Sequence, residues 1–276
     1  MRGSALALRH GPEPVAEPAP TRPPLKWAGG KRWQVQHLLP HWTSRSDRRL
    51  VEPFAGGLAV ALGLMPKRAL LNDVNPHLLN FYRWLKAGLV VDERFENEKS
   101  AFYRNRNRFN RLLSNGQTET AEAAGLFYYL NRTGYNGLCR FNQKGVFNVP
   151  FGRFNNINYR YDFANYKSVF ENWEFTNKTF REVTLAPDDF VYADPPYDVE
   201  FTAYSSGGFS WEDQEATAEW LAKHSGPVIL SNQATDRIMK LYKKLKFKTP
   251  TFEAPRRISC TGDRAPALEV LATRNL

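Results

Sequence analysis

Asp194-Pro195-Pro196-Tyr197 closes the apolar run Phe190-Val191-Tyr192-Ala193, which reads as a buried strand. Two prolines cannot continue a strand, because they lack N–H donors and fix φ. The chain must turn sharply where it delivers an acid and an aromatic ring. An acceptor beside a flat stacking surface suits a planar base with an exocyclic amine. Alone, the tetrapeptide is read equally well as a strand ended by a proline turn.

A second group of residues carries similar chemistry. Val51-Glu52-Pro53-Phe54-Ala55-Gly56-Gly57 is followed, sixteen residues past Gly57, by Asp73 at the end of the next strand. Paired glycines let a ligand approach the backbone closely. An acid at that strand end is placed for ribose hydroxyls. The pattern is neither a GxGxxG fingerprint nor a P-loop, and a plain strand-to-helix turn capped by Asp73 accounts for it as well.

Composition narrows the field. The 276 residues are 42% hydrophobic and 14% aromatic, enough for one large domain or two modest ones. No apolar run approaches the ~20 residues of a membrane span, and Ala5-Leu6-Ala7-Leu8 is too short for a signal peptide. Cys139 and Cys260 form no disulfide framework and no metal-ligand spacing. These features predict a soluble, cytoplasmic, monomeric protein with no membrane partner and no metal.

The net charge of +10 is unevenly spread. Between Lys99 and Arg160 stand ten Lys/Arg against Glu119 and Glu122, a local excess of +8, together with eleven Asn and twelve Phe/Tyr. Arg and Lys neutralise phosphates, Asn pairs with adenine edges, and aromatic rings stack on bases. A charge run is often only a solvated face. Interleaving with Asn and aromatic residues favours nucleic-acid contact instead.

The elements that position these residues follow from pattern. Residues 1–22 are Ala/Pro-rich and read as a disordered tail. Trp27-Ala28-Gly29-Gly30-Lys31 is a glycine turn before a helix to about Leu39. Strands are expected at Arg49–Pro53 and Arg68–Asp73, with a helix over Leu58–Leu64 between them. Asn75-Pro76 starts a helix that stops at Gly88. The basic segment is helical and then loop-rich, and Phe127–Leu130 reads as core. After Phe190–Ala193, Ser210-Trp211-Glu212-Asp213 is a capping box opening a helix to about His224. Strands follow at Val228–Ser231 and Glu269–Ala272. Alternating strands and helices predict a mainly parallel α/β sheet, with ligands beyond the carboxyl ends of its strands.

Taken together, six ordered motifs carry a resemblance. They are Lys26-Trp27-Ala28-Gly29-Gly30-Lys31, Glu52-Pro53-Phe54-x-Gly56-Gly57, Asn72-Asp73-x-Asn75, Asn131-Arg132-x-Gly134-Tyr135-Asn136-Gly137-Leu138-Cys139-Arg140, Phe147-Asn148-Val149-Pro150-Phe151-Gly152-Arg153 and Asp194-Pro195-Pro196-Tyr197. From about Pro24 to Ala272 the chain resembles a Dam-type DNA adenine-N6 methyltransferase of the D12 class. The resemblance implies a Rossmann-like S-adenosylmethionine-dependent sheet formed by residues 23–95 and 165–276. A mainly helical target-recognition domain, 96–164, would be inserted in it.

The resemblance also implies roles. Trp27, Ala28, Gly29, Lys31, Glu52, Phe54, Gly56, Gly57 and Asp194 would line the S-adenosylmethionine site, and Asp73 would take the ribose hydroxyls. S-adenosylhomocysteine would be the product. Asp194, Pro195, Pro196 and Tyr197 would be catalytic. Arg140 would read a guanine and Lys26 would contribute to another guanine contact. Leu138 and Pro150 would touch a thymine methyl, Tyr135 and Asn136 would fill the gap left by the target adenine, and Arg132, Asn142 and Arg153 would complete the contacts to double-stranded DNA. For Tyr135 and Leu138, core packing is the competing reading.

This set leans toward GATC as the target. Alternatives are the same activity on another sequence within a restriction system, an RNA N6-methyltransferase, and a DNA-binding regulator without activity. Intact Asp73, Asp194, Pro195 and Tyr197 disfavour the last. The long inserted domain disfavours RNA. A protein glutamine methyltransferase would more often carry Asn at 194, and a cytosine-N4 enzyme Ser. Three features depart from the family pattern. Only Asp198-Val199-Glu200 separates Tyr197 from Phe201-Thr202-Ala203-Tyr204, Thr133 stands where an aromatic residue is common, and the tail has no counterpart. The basic run Arg256–Arg264 reads equally as a phosphate contact or a surface loop.

Overall fold

The computed structural model describes residues 22–198, 208–254 and 267–276. The expectations for the tail, for Val199–Tyr204, for Arg256–Arg264 and for Cys260 lie outside these residues.

In chain order the elements are α1 (Val35–Thr43), β1 (Leu50–Glu52), α2 (Ala61–Leu64), β2 (Ala69–Asn72), α3 (Pro76–Ala87), α4 (Lys99–Ser114), α5 (Ala121–Thr133), α6 (Ala164–Val169), β3 (Trp173–Thr176), β4 (Phe190–Ala193), α7 (Trp211–Ala222), β5 (Val228–Gln233), α8 (Asp236–Lys244), β6 (Thr251–Ala254) and β7 (Ala267–Arg274). The strands form one sheet in the order β3-β2-β1-β4-β5-β7-β6. β3 through β5 run parallel, whereas β7 is antiparallel to both β5 and β6. This is the mostly parallel α/β architecture of S-adenosylmethionine-dependent methyltransferases.

Strand sequences follow from burial on both faces. Along β4, Phe190 and Tyr192 join one hydrophobic cluster with Leu50, Leu71 and Ile229, whereas Val191 and Ala193 join another with Val51, Val228 and Leu230. A strand covered by helices on both sides is apolar without alternation. The cluster containing Phe190 extends through α3 into α4 and α5, where Phe81, Phe102, Phe109, Phe127 and Tyr129 are fully enclosed.

Strand order reverses between β1 and β4, which are hydrogen-bonded neighbours with helical connections leading away on either side. Such a switch point leaves a crevice beyond the carboxyl ends of the strands. Glu52-Pro53-Phe54 leaves β1 there, and Asp194-Pro195-Pro196-Tyr197 leaves β4 beside it.

Several boundaries are set by local chemistry. Asn75 caps α3 by accepting from the backbone of His77 (3.0 Å) and Leu78 (3.2 Å), and Gly88 ends it in the left-handed region. Asn75→Ala is expected to cost about 1 kcal/mol of stability, read as a lower urea midpoint. Ser210 and Asp213 form the expected capping box of α7. The helix expected over Leu58–Leu64 is shorter, because Leu58 takes a left-handed φ of 59° and α2 begins only at Ala61. Among the described residues no helix is long and apolar enough to cross a membrane.

Candidate active site

Asp194 follows β4 directly, with its side chain 19% exposed. Its Oδ1 is buried and accepts no hydrogen bond from the described residues. Lys31 Nζ lies 3.6 Å from that oxygen and 3.9 Å from Glu269 Oε1. Burial pushes the Asp194 carboxyl up to about 6; Lys31 opposes that rise and Glu269 adds to it. Glu52, at the end of β1, is enclosed, and one of its oxygens also lacks a partner among the described residues. Burial, followed by the charge of Asp194, raises its carboxyl well above the ordinary range.

The prolines fix the exit of the turn. The Pro196 carbonyl accepts from Gln214 Nε2 at 2.7 Å, and Gln214 Oε1 accepts from Asn232 Nδ2 at 2.9 Å. Asn232 Oδ1 in turn accepts from the Asp198 backbone at 3.2 Å. The buried Asp198 carboxylate pairs with Arg237 and accepts from Thr235 Oγ1. Against this fixed frame, the Pro195 carbonyl accepts nothing from the described residues.

Tyr197 turns its hydroxyl inward. It donates to Glu269 Oε2 at 2.7 Å and lies 2.8 Å from Ser231 Oγ, while Lys31 Nζ sits 4.1 Å from the ring centroid. Gln34 completes the network: its Nε2 donates to Ser231 Oγ and Glu269 Oε2, both at 2.9 Å, and its Oε1 accepts from Tyr192 at 2.7 Å. Sequence reasoning missed Gln34, Ser231 and Glu269. No local pattern marks them, since three separate elements bring them together.

The residues expected to hold a cofactor gather around the same crevice. Ala28 and Gly29 lie exposed in the turn before Lys31, Gly29 with a φ of +77°. Asp73 Oδ2 accepts from the Gly56 backbone at 3.0 Å and Oδ1 from that of Asn75 at 2.9 Å. The carboxylate thereby pins the glycine turn to the start of α3. Trp27 makes the close approach at both glycines. A Cβ on Gly56 would stand 2.9 Å from its Nε1, and one on Gly57 2.7 Å from its Cβ. The indole of Trp27 therefore requires glycine at both positions, a packing reason the sequence did not show. Phe54 packs against Phe180 (5.6 Å between centroids) and Phe209 (5.7 Å), two further rings not foreseen.

A loop from the basic segment meets the turn that carries Trp27. Buried Asn131 accepts from the Lys26 backbone at 2.8 Å and donates to the carbonyls of Lys26 (2.7 Å) and Gly137 (3.0 Å). A Cβ on Gly137 would fall 2.4 Å from Lys26 Cβ, so only glycine allows this approach. Lys26 Nζ donates to the Arg132 carbonyl at 2.9 Å and stands 3.4 Å from the Phe154 centroid. Burial, then the charge of Arg132, lowers its pKa to about 8.

Beyond that junction, Tyr135 and Asn136 project from the loop. Tyr135 is 50% exposed, which removes core packing as its explanation, and Asn136 holds a left-handed φ of 52°. The Tyr135 backbone donates to the carbonyl of exposed Pro150 at 2.9 Å, so the two stand side by side. Leu138 is half-buried against the core. Arg140 is exposed, with Nε donating to Asn148 Oδ1 at 2.8 Å. Exposed Arg153 also has a φ of 52°; a non-glycine backbone held in this left-handed region is strained, and such strain clusters at functional sites. Two residues are engaged locally. Asn142 Oδ1 accepts from the Lys144 and Val146 backbones (both 3.0 Å) and builds a hairpin turn, and Arg132 is half-buried. Thr133 is enclosed, its hydroxyl 2.8 Å from that of Tyr159.

Residues 27–258 match the family described as D12 class N6 adenine-specific DNA methyltransferase. The chain is 36% identical over 262 residues to the retron Ec67 DNA adenine methylase of Escherichia coli, covering 90% of each. It is 35% identical to a DNA adenine methylase of Vibrio cholerae, over 86% of this chain and 90% of the other. It is 32% identical to the type II methyltransferase M.MjaIII of Methanocaldococcus jannaschii, over 88% and 94%.

Proposed function

The chain belongs to the D12 class of N6 adenine-specific DNA methyltransferases, and on that premise we propose that it methylates N6 of adenine within GATC in double-stranded DNA after extruding the base from the helix. The observation that carries the reading is Asp194: a buried carboxylate oxygen without a partner among the described residues, beside the Pro195 carbonyl, at the switch point of the sheet.

The residues fit the family's cofactor. The carboxyls of Glu52, Asp194 and Glu269 outnumber the Lys31 ammonium, and two of their oxygens are buried without partners among the described residues. That surplus of acid suits a cationic ligand. S-adenosylmethionine supplies an electrophilic methyl group on a sulfonium when bound. Trp27, Lys31, Glu52, Phe54, Gly56, Gly57 and Asp73 would hold it, with Asp73 toward the ribose.

The protein's own contribution is positioning and electrostatics. The N6 lone pair of adenine is delocalised into the ring, which makes the amine a poor nucleophile. Asp194 and the Pro195 carbonyl each accept one N6–H, which orients the amine and favours a pyramidal, more nucleophilic nitrogen. The target base must leave the stack to reach them, and the Tyr197 ring offers it a face. Tyr135 and Asn136 fill the space it leaves. Because acceptance requires an ionised Asp194, turnover should fall as pH drops through about 6.

Residues 96–164 form the proposed reading domain. Within it Arg140 contacts a guanine, and Leu138 and Pro150 a thymine methyl. Lys26 would exchange its present partners for a second guanine. Plasmid from cells that lack other adenine methylation but express this chain should resist an endonuclease blocked by methylated GATC and be cut by one that requires it. A cutting pattern unchanged from cells without the chain would refute the GATC target. Arg140→Ala should weaken discrimination at one guanine by roughly 1–3 kcal/mol, read from methylation rates on single-base variants of the site.

A further inference from the structure

We propose that Glu269 is a positioning residue for methyl transfer: it holds the Lys31 ammonium and the Tyr197 hydroxyl so that Asp194 Oδ1 stays open to the substrate amine. The proposal rests on the assignment of Asp194 as the N6 acceptor.

Its geometry is specific. Lys31 Nζ lies between two carboxylates, 3.6 Å from Asp194 and 3.9 Å from Glu269. Neither separation is a full hydrogen bond. A buried ammonium facing one carboxylate would close onto it. Here the second acid holds it back, and Asp194 Oδ1 is left without a partner among the described residues. Glu269 is itself fixed at Oε2 by Tyr197 (2.7 Å) and Gln34 (2.9 Å), and its residue is only 7% exposed. It reaches the site because β7 runs antiparallel beside β5, with Glu269 opposite Gln233 and two residues along from the partner of Ser231. Thus one carboxylate sets both the tilt of the Tyr197 ring and the standing distance of Lys31.

The charged and titratable groups facing Asp194 are Lys31 before α1, Glu52 on β1, Tyr192 on β4, Tyr197 after it, Glu269 on β7 and Tyr242 on α8. Of the two nearest charged groups, the Glu269 carboxylate acts on Asp194 in the raising direction and the Lys31 ammonium in the lowering direction. Replacing Glu269 by glutamine removes the first influence and lets Lys31 settle on Asp194, which strengthens the second. Both changes move the Asp194 titration to lower pH, while the acceptor oxygen becomes occupied.

Two readouts test this. The Asp194 carboxyl is titrated by carbon-13 NMR in the cofactor-free protein, its resonance assigned with Asp194→Asn. Methyl transfer is measured as kcat with labelled S-adenosylmethionine on bulk DNA from methylation-free cells, which registers any target sequence. Glu269→Gln is expected to titrate at lower pH than the unsubstituted protein and to lose about 10- to 100-fold in kcat, as for a misplaced reacting group, with a smaller change in cofactor Kd. An Asp194 midpoint unmoved or raised, or an unchanged kcat, overturns the proposal. If Glu269→Gln does not fold, Tyr197→Phe carries the test. It deletes a hydroxyl that anchors Glu269, so kcat must fall, and an unchanged kcat is equally fatal. Should the unsubstituted protein fail to methylate GATC, the target assignment falls while the titration still decides the role of Glu269.

Discussion

Asp194→Ala is expected to reduce adenine methylation by on the order of 10³-fold or more while leaving DNA affinity nearly unchanged. The loss is large because one small side chain supplies the acceptor that orients N6, in a crevice where water cannot readily replace it. The binding energy for DNA comes from elsewhere. Phosphate contacts dominate affinity, and the exposed Arg140 and Arg153 lie in the segment between α5 and α6 rather than at the end of β4. Filter binding at fixed salt, run beside incorporation of labelled methyl groups, separates the two effects. Full activity in this variant would refute the catalytic role, and a parallel loss of DNA affinity would mean that Asp194 supports the fold instead.

Lys31→Met should have the next largest effect, with the opposite sign from Glu269→Gln on the pH profile. Methionine matches much of the lysine stem but carries no charge. Asp194 then loses the influence that opposes its burial, and its neighbours Glu52 and Glu269 remain. Its pKa rises above about 6, so more of the protein holds a protonated Asp194 near neutral pH. The acid limb of the rate profile therefore moves upward. At pH 7 kcat should fall on the order of 100-fold, because the ammonium over the Tyr197 ring is lost as well. Part of that loss should be recovered at pH 8. A profile of unchanged shape would show that Lys31 does not set the charge state of Asp194.

The central strands were legible because sandwiching between helix layers leaves only apolar residues at Phe190–Ala193 and at Val228–Leu230. Caps were equally plain where side chain and backbone meet locally, as at Asn75-Pro76, Gly88 and Ser210. Edge elements were not. β3 alternates buried Trp173 and Phe175 with exposed Glu174, and it is too short to stand out from its polar surroundings. The helix α8 carries Lys240, Lys243 and Lys244 on its exposed side, which hides the buried stripe of Ile238, Leu241 and Tyr242.

The site divides along the same line. Asp194, Tyr197, Asp73 and the glycine pair stand at strand ends, where position in a parallel sheet already implies a ligand. Gln34 and Glu269 gain their meaning only from register. Glu269 reads as the polar start of an apolar strand until the antiparallel pairing of β7 with β5 turns it toward Tyr197. Trp27 is intermediate: its motif marked it, but its packing against Gly56 and Gly57 needed the fold.

The most direct measurement is single-base sequencing of N6-methyladenine in the genome of methylation-free cells that express this chain. The adenine of GATC should be modified throughout, adenines in other contexts should not, and an Asp194→Ala control should show none. Modification confined to another sequence, or no modification beyond that control, would contradict the account.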